Sequence, residues 1–407
     1  MGHMSSETTT TIVDLFAKCD NERTRMAKTA KSMRLFPYFL EMGSEAGPEV
    51  LCEGERVITF GSNNYLGLSA DPRVKKAAAD AVERFGTGCT GSRLLNGTLS
   101  VHVELEEALL EWQGGEACLV FTTGYSVNLG LLSALVDRQD RVFLDAGAHA
   151  SLLDGAQITQ GSVRLFKHNS TSTLRRRLEA WRDDDEARGG ALVAVDAVFS
   201  MEGDLCPVTE MVEVCNEMGA RLLVDEAHSA GVLGPEGRGL AAAEGVDADL
   251  IMGTFSKSFA SCGGFLIAPQ DVVDYLKLAC RPFLFTAAGV PAAMAAAHES
   301  LKISLEEPWR RETALALAER LRAGLDELGY ETGPVGSTIV SLSFDSEWKT
   351  GRLWRALLDD GIYVNLAVPP AVPAGKATLR ASTIATHTEE QVDRALAAFE
   401  AHRSIVD

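Results

Sequence analysis

Between Ala117 and about Gly264 short apolar runs recur along the chain, each separated from the next by a segment of helical texture. The runs 117–122, 141–144, 191–195, 221–224 and 249–254 have strand length and little polar alternation, which predicts strands buried on both faces. Helix-like stretches at 173–181 and 210–218 lie among them. This alternation predicts a mostly parallel sheet covered by helices on either side. In such folds ligands gather beyond the carboxyl ends of the strands. Gly124, Asp145, Asp196, Asp225 and Lys257 all fall at or just past such ends.

After Pro291 the texture changes. An alanine-rich helix over 292–304 leads into a longer one ending near Leu328 and Gly329. Strand-like pieces at 338–344, 362–364 and 377–382 then alternate with helical segments, the last over 389–401. This predicts a smaller α+β domain. At the other end, Asn21 to Phe36 reads as a basic helical arm carrying Arg23, Arg25, Lys28, Lys31 and Arg34. Asp71 and Pro72, a cap residue and a first-turn proline, open a helix that runs to Phe85. The expected organisation is an arm over 1–54, a large domain over 55–290 and a small domain over 291–407.

Composition narrows the class. With 407 residues, 46% hydrophobic and 23% charged, the chain has the makings of a large globular core. No stretch approaches the roughly 20 apolar residues that span a bilayer. The beginning carries no signal-peptide pattern, and Met1-Gly2-His3-Met4 reads as a cloning remnant. The eight cysteines are scattered without a Cys-x-x-Cys pair, so reduced thiols in a cytoplasmic protein are expected rather than disulfides or a zinc site. A formal net charge of −19 opposes nucleic-acid binding.

Chemistry concentrates at two places. Lys257 stands in Gly253-Thr254-Phe255-Ser256-Lys257, where an apolar run ends among hydroxyls. Such an amine can form a Schiff base with pyridoxal 5'-phosphate while Thr254 and Ser256 hold its phosphate. Upstream, Leu222-Leu223-Val224-Asp225-Glu226-Ala227-His228 ends a strand on a carboxylate, and an imidazole follows. Asp225 would keep the pyridine nitrogen protonated, and His228 would bond the phenolic oxygen. Gly86-Thr87-Gly88-Cys89-Thr90-Gly91 matches G-x-G-x-x-G in letters, but it follows a helix instead of a strand, which argues against a nicotinamide site. Thr122-Thr123-Gly124-Tyr125 reads equally as a phosphate-binding helix start or a plain strand–helix turn. His149 reads equally as a group stacked on a cofactor ring or as a structural imidazole.

These segments together resemble the α-oxoamine synthase family of fold-type I pyridoxal-phosphate enzymes. The resemblance runs from about Pro37 to His387. It includes Ser62-Asn63-Asn64-Tyr65-Leu66-Gly67-Leu68, the loop 86–98 with His102, and Phe199-Ser200-Met201-Glu202-Gly203-Asp204. The Asp225–His228 and Thr254–Lys257 blocks complete it. Two departures keep the charge: Asp196 stands where the family commonly has glutamate, and Glu202 where aspartate is usual.

The resemblance implies a fold-type I transferase, with a mostly parallel large domain and an α+β C-terminal domain. It implies condensation of an amino acid with an acyl thioester, with loss of carbon dioxide and thiol, to give an α-amino ketone. Lys257 would be the cofactor anchor and proton carrier, with His149, Asp225 and His228 as its catalytic companions. Gly124, Tyr125, Thr254 and Ser256 would hold phosphate, Ser200 and His228 the phenolic oxygen, and Thr286 would serve the neighbouring subunit's phosphate in a homodimer with shared sites. Asn63 and Arg380 match positions that hold the substrate carboxylate, and Arg34 is expected to meet the acyl donor, either a coenzyme A thioester or an acyl carrier protein. A different pyridoxal-phosphate enzyme, such as an aminotransferase, and an inactive partner subunit remain as alternatives.

Overall fold

The computed structural model describes residues 14–184, 189–369, 371–372 and 375–406; the reading of residues 1–4 lies outside them. The basic arm forms α1 (Glu22–Ser32), capped by Asn21, whose side chain accepts from the Thr24 N–H. The helix stops before Phe36, and Arg34 follows it with φ of 58°. A hairpin of β1 (Glu49–Cys52) and β2 (Glu55–Thr59) comes next, then α2 (Pro72–Phe85) and α3 (Ser100–Gln113). Asp71 caps α2 as its sequence suggests, accepting from the Arg73 N–H.

The large sheet is built from β3 (Ala117–Phe121), β4 (Arg141–Asp145), β5 (Ser162–Phe166), β6 (Ala191–Asp196), β7 (Arg221–Asp225), β8 (Leu250–Thr254) and β9 (Gly264–Ala268). Their spatial order is β3-β9-β8-β7-β6-β4-β5, and every pairing is parallel except those of β9 with its two neighbours. Each expected strand of this region is present. The sheet has two further members outside the expected strands, β5 and the antiparallel β9. Between the strands run α4 (Gly124–Leu135), α5 (Ala150–Ile158), α6 (Thr171–Arg182), α7 (Val208–Met218) and α8 (Leu240–Glu244).

Burial explains the texture of these strands. In β6 every residue is buried. Val193 and Val195 join one hydrophobic core while Leu192 and Ala194 join the core on the opposite face. Side chains that alternate between two dry faces need no polar alternation. The chain leaves β4 outward to β5 and returns to β6, so the strand order reverses between β4 and β6. Asp145, Asp196, Asp225 and Thr254 end their strands on that same side.

The remaining elements are α9 (Gln270–Ala279), α10 (Arg281–Leu284), α11 (Pro291–Glu306), α12 (Trp309–Glu327), β10 (Ile339–Phe344), α13 (Glu347–Asp359), β11 (Ile362–Tyr363), β12 (Asn365–Ala367), β13 (Ala377–Ser382) and α14 (Glu389–Ala401). The strand expected at 362–364 is β11, which pairs with β2, and a further strand, β12, follows it and pairs with β13. Packing also crosses the boundaries suggested by texture. Ile58 of β2 lies beside Ile362, and Val57, Ile58 and Phe60 share a core with Trp354, Leu379 and Phe399. Conversely, Met294, Ala297 and Leu301 of α11 pack with Leu105 and Phe255, in the core of the large unit. Apolar area is buried wherever a matching face exists, so a change in composition need not coincide with a seam in the core. Among the described residues, no helix is long and apolar enough to cross a membrane.

Candidate active site

Lys257 sits in a tight turn beyond β8 that two aromatic side chains hold in place. Phe255 and Phe259 are buried, against Phe265 and Trp112 at ring-centroid distances of 5.9 and 5.4 Å. The Phe255 N–H donates to the Gly263 carbonyl at 3.0 Å, and the Ser261 N–H to the Phe255 carbonyl at 2.9 Å. Gly263 has φ of 147°, and a Cβ there would lie 2.5 Å from the Phe255 ring, so the turn requires glycine. Ala260 adopts φ of 52°, an uncommon conformation for a residue with a Cβ. Desolvation lowers the Lys257 pKa from 10.5 to about 8, against the opposing pull of Asp225 and Asp196.

Asp225 is buried at the end of β7, and N–H groups from two sides hold its carboxylate. The Ala227 N–H donates to Oδ1 at 2.9 Å, and Asn128 Nδ2 donates to Oδ2 at 2.8 Å. Asp196, one strand away, accepts the His149 backbone N–H at 2.9 Å. Burial, reinforced by the charge of Asp225, pushes the Asp196 carboxyl well above its usual range. His149 caps α5, and its Nδ1 accepts the Ser151 N–H at 3.2 Å.

Bare backbone opens α4 next to the end of β8. α4 starts at Gly124 beside β8, and a Cβ on Gly124 would come within 2.9 Å of Thr254. The first N–H groups of a helix lack helical acceptors and favour an anion. Thr123 turns its hydroxyl to the Ser126 N–H at 3.0 Å, which fixes where this helix begins. Ser256 is exposed next to Thr254, whose hydroxyl donates to the Gly263 carbonyl at 3.0 Å. Tyr125 donates its hydroxyl to Asp154, and its ring lies edge-on to His149 at 6.3 Å.

The third part of the site is assembled from distant segments. Arg380, buried on β13, donates through Nη2 to Asn63 Oδ1 at 3.0 Å and to the Tyr65 phenol oxygen at 3.4 Å. Its Nε donates to the Ser200 carbonyl. The same Tyr65 oxygen lies 2.7 Å from His228 Nδ1. Burial holds His228 well below the ordinary histidine pKa, helped by the positive charges of Lys257 and Arg380, so its imidazole is neutral.

The structure thus gathers Lys257, Asp225, His149 and His228 into one electrostatic neighbourhood, with Asn63, Ser200 and Arg380 beside them and Gly124, Thr254 and Ser256 at the α4 end. Two expected residues lie elsewhere on this single chain. Thr286 is exposed, in a segment tied to the glycine-rich loop by the Ser92–Ala287 bridge. Arg34 is exposed near Asp359, at the end of α13. Tyr65, Asn128 and Ser151 are additional members that motif reading passes over. Asn128 alone left a trace, as a polar amide between Val127 and Leu129 in the apolar part of α4.

The residues present fit pyridoxal phosphate. An amine of low proton affinity, a buried carboxylate held by two donors, and bare backbone at a helix start beside two hydroxyls match its aldehyde, ring nitrogen and phosphate. Comparison with known proteins agrees. The model of the family aminotransferase class I and II matches residues 55–399. A serine palmitoyltransferase of Caulobacter vibrioides is 44% identical over 353 residues, 86% of this chain and 87% of that protein. One from Sphingobacterium spiritivorum is 42% identical over 368 residues, covering 90% and 91% of the two chains. A solved serine palmitoyltransferase from S. paucimobilis, with a bound PLP–myriocin aldimine, superposes with a TM-score of 0.92 at 38% identity, over 97% of this chain and 99% of that one.

Proposed function

The chain belongs to the aminotransferase class I and II family, and from that premise we propose that it joins L-serine to a long-chain acyl thioester. Its reaction class is that of the α-oxoamine synthases: a pyridoxal-phosphate-dependent acyl transfer that releases carbon dioxide and thiol and leaves an α-amino ketone. The observation that carries the proposal is the placement of Arg380 with Asn63 and Tyr65 beside the Lys257–Asp225 pair.

When bound, the cofactor supplies an electron sink for a carbanion at the amino-acid Cα. Lys257 anchors it and moves the α-proton, which an amine titrating near 8 can do close to neutrality. Asp225 provides the negative charge for the ring nitrogen. His149 would stack on the ring, and His228 and Ser200 would bond its phenolic oxygen. Gly124, Tyr125, Thr254 and Ser256 hold the phosphate. Arg380 and Asn63 grip the substrate carboxylate, a pairing suited to a planar guanidinium.

The site is shared between two copies of the chain, with Thr286 reaching the neighbour's phosphate. The exposed side chains Leu94, Leu95 and Phe285, near Thr286 and the glycine-rich loop, support this arrangement. The basic arm, with Arg34 at its end, receives the acyl donor, whether its carrier is coenzyme A or an acyl carrier protein. Arg23 Nη2 already reaches the Pro369 carbonyl at 3.4 Å, which sets the arm beside Pro369. The protein works in the cytoplasm.

The test is to supply the pyridoxal-phosphate-loaded protein with serine, alanine or glycine and palmitoyl-coenzyme A, and to measure carbon dioxide and thiol release. Fastest release with serine supports the proposal. Preference for alanine or glycine would reassign the amino acid, and amino-group transfer to a keto acid without carbon dioxide would remove the condensation altogether.

A further inference from the structure

Between Asp225 and the exposed His149 stand two buried polar side chains to which motif reading assigns no role. Asn128 is fully buried, and Ser151 is 1% exposed. Asn128 Nδ2 donates both to Ser151 Oγ at 2.9 Å and to Asp225 Oδ2 at 2.8 Å. Ser151 Oγ lies 2.7 Å from His149 Nδ1.

The direction of every proton in this chain follows from its ends. The Ser151 backbone N–H points at His149 Nδ1, and a backbone N–H only donates, so Nδ1 carries no proton and Nε2 does. The Ser151 hydroxyl must then donate to Nδ1, and its oxygen is left to accept from Asn128. At the other end the Asp225 carboxylate only accepts, which again requires the amide nitrogen of Asn128 to face it. The reverse amide orientation would set Oδ1 against a carboxylate. In the orientation adopted, Asn128 Oδ1 is a buried acceptor with no partner among the described residues. A lone buried acceptor is costly, so the amide is held by its two donor contacts.

We propose that Asn128 and Ser151 are positioning residues that fix the His149 tautomer and the Asp225 carboxylate together, through one directed hydrogen-bond chain. This rests on the cofactor-binding reading for its purpose, since His149 and Asp225 are the two groups assigned to the cofactor ring. The chain itself belongs to the protein alone. Other charges facing His149 are Asp225 from β7, Lys257 beyond β8 and Asp154 from α5, with Asp196 of β6 on its backbone and His228 nearby. Desolvation and Lys257 hold the His149 pKa below 6.5, against Asp225 and Asp154. The two donors to Nδ1 act in the same direction.

The test is nitrogen NMR of histidine-labelled full-length protein, with and without pyridoxal phosphate, using His149→Gln to assign the signal. Wild type is expected to show an unprotonated Nδ1 and a protonated Nε2 in both states. Ser151→Ala should shift the Nδ1 resonance and raise the His149 titration midpoint by about one pH unit, the equivalent of one lost hydrogen bond. Ser151→Thr, which keeps the hydroxyl, should restore wild-type behaviour. Asn128→Ala should move the His149 signal without touching that residue. Unchanged His149 shifts and midpoint in a folded Ser151→Ala protein would overturn the proposal, as would an Nδ1–H tautomer in wild type. Failure of wild type to bind pyridoxal phosphate would count against the proposed function instead, because the tautomer is read in the cofactor-free protein.

Discussion

Tyr65 and His228 meet across 163 positions of sequence, the phenol oxygen 2.7 Å from Nδ1 with both side chains buried. Arg380 donates to the same oxygen, so one hydroxyl links the imidazole beside the cofactor position to the guanidinium assigned to the substrate. Tyr65→Phe is expected to fold, because the ring keeps its packing. It removes a neutral hydrogen bond from His228 and a long one, at 3.4 Å, from the Arg380 guanidinium. The loss of one ordinary hydrogen bond predicts a serine affinity weaker by at least about 2- to 13-fold. Titrating the cofactor absorbance with serine measures it, and wild-type affinity would exclude the link.

Lys257 gives a pH prediction. A lysine whose pKa has fallen to about 8 is mostly neutral above that pH, whereas an ordinary lysine is neutral only above 10.5. The rate at which cofactor-free protein captures pyridoxal phosphate should therefore rise with pH and level off just above 8. A rise continuing to pH 10 would show an unperturbed amine. Lys257→Ala should abolish both capture as a covalent adduct and turnover, and borohydride should label no other lysine.

Asp225→Asn keeps the size and hydrogen-bonding reach of the side chain but removes its charge. Cofactor binding should persist, while exchange of the serine α-proton with deuterated solvent falls sharply. Near wild-type exchange would remove Asp225 from its role.

For Arg380→Ala the expected loss is in serine binding. A charged hydrogen bond contributes roughly 1.5–3 kcal/mol, or about 10- to 150-fold in affinity. Pyridoxal phosphate affinity should change little, since Arg380 is assigned to the carboxylate and not to the phosphate. An equal loss of both would point to a collapsed Asn63–Ser200 region.

His168 offers a stability test away from the cofactor. Its Nδ1 and Nε2 bond Asp145 and Asp204 at 2.7 and 2.9 Å, and these two partners raise its pKa from 6.5 to about 10. The folded protein therefore binds a proton that the unfolded chain releases between those values. The stabilisation is complete below pH 6.5 and is lost as pH rises through 10, softened by the partial exposure of the ring. The difference in Tm between wild type and His168→Asn should be largest near pH 6 and shrink towards pH 10. A constant difference would show that only packing against Phe199 matters.

What the sequence discloses follows physical reach. β6 and β7 are legible because burial on both faces demands unbroken apolar runs, and their closing aspartates stand out against them. β5 is an edge strand whose Arg164 and Leu165 are exposed, so it lacks that texture. β9 returns directly after the Lys257 turn with no helix between, so nothing announces its antiparallel course. Within the site, Lys257, Asp225 and His228 are legible because their chemistry is carried by adjacent residues. Tyr65 and Asn128 acquire theirs only from partners far along the chain: a tyrosine after Ser62-Asn63-Asn64 carries no sign of its role until His228 and Arg380 are seen around its oxygen.

The pairing of β2 with β11 has a consequence for how the chain is made. The β1–β2 hairpin leaves the ribosome early, but the strand beside which Ile58 lies is among the last to be synthesised. Until then its apolar face and one open edge must wait while the large sheet folds, a delay in which strand edges invite association with other chains. Arg380 arrives in the same late portion, and the Ser382 N–H then bonds the Phe60 carbonyl. A nascent chain halted after Lys257 would thus hold the amine and Asp225 but lack Arg380, the side chain proposed to grip the amino acid.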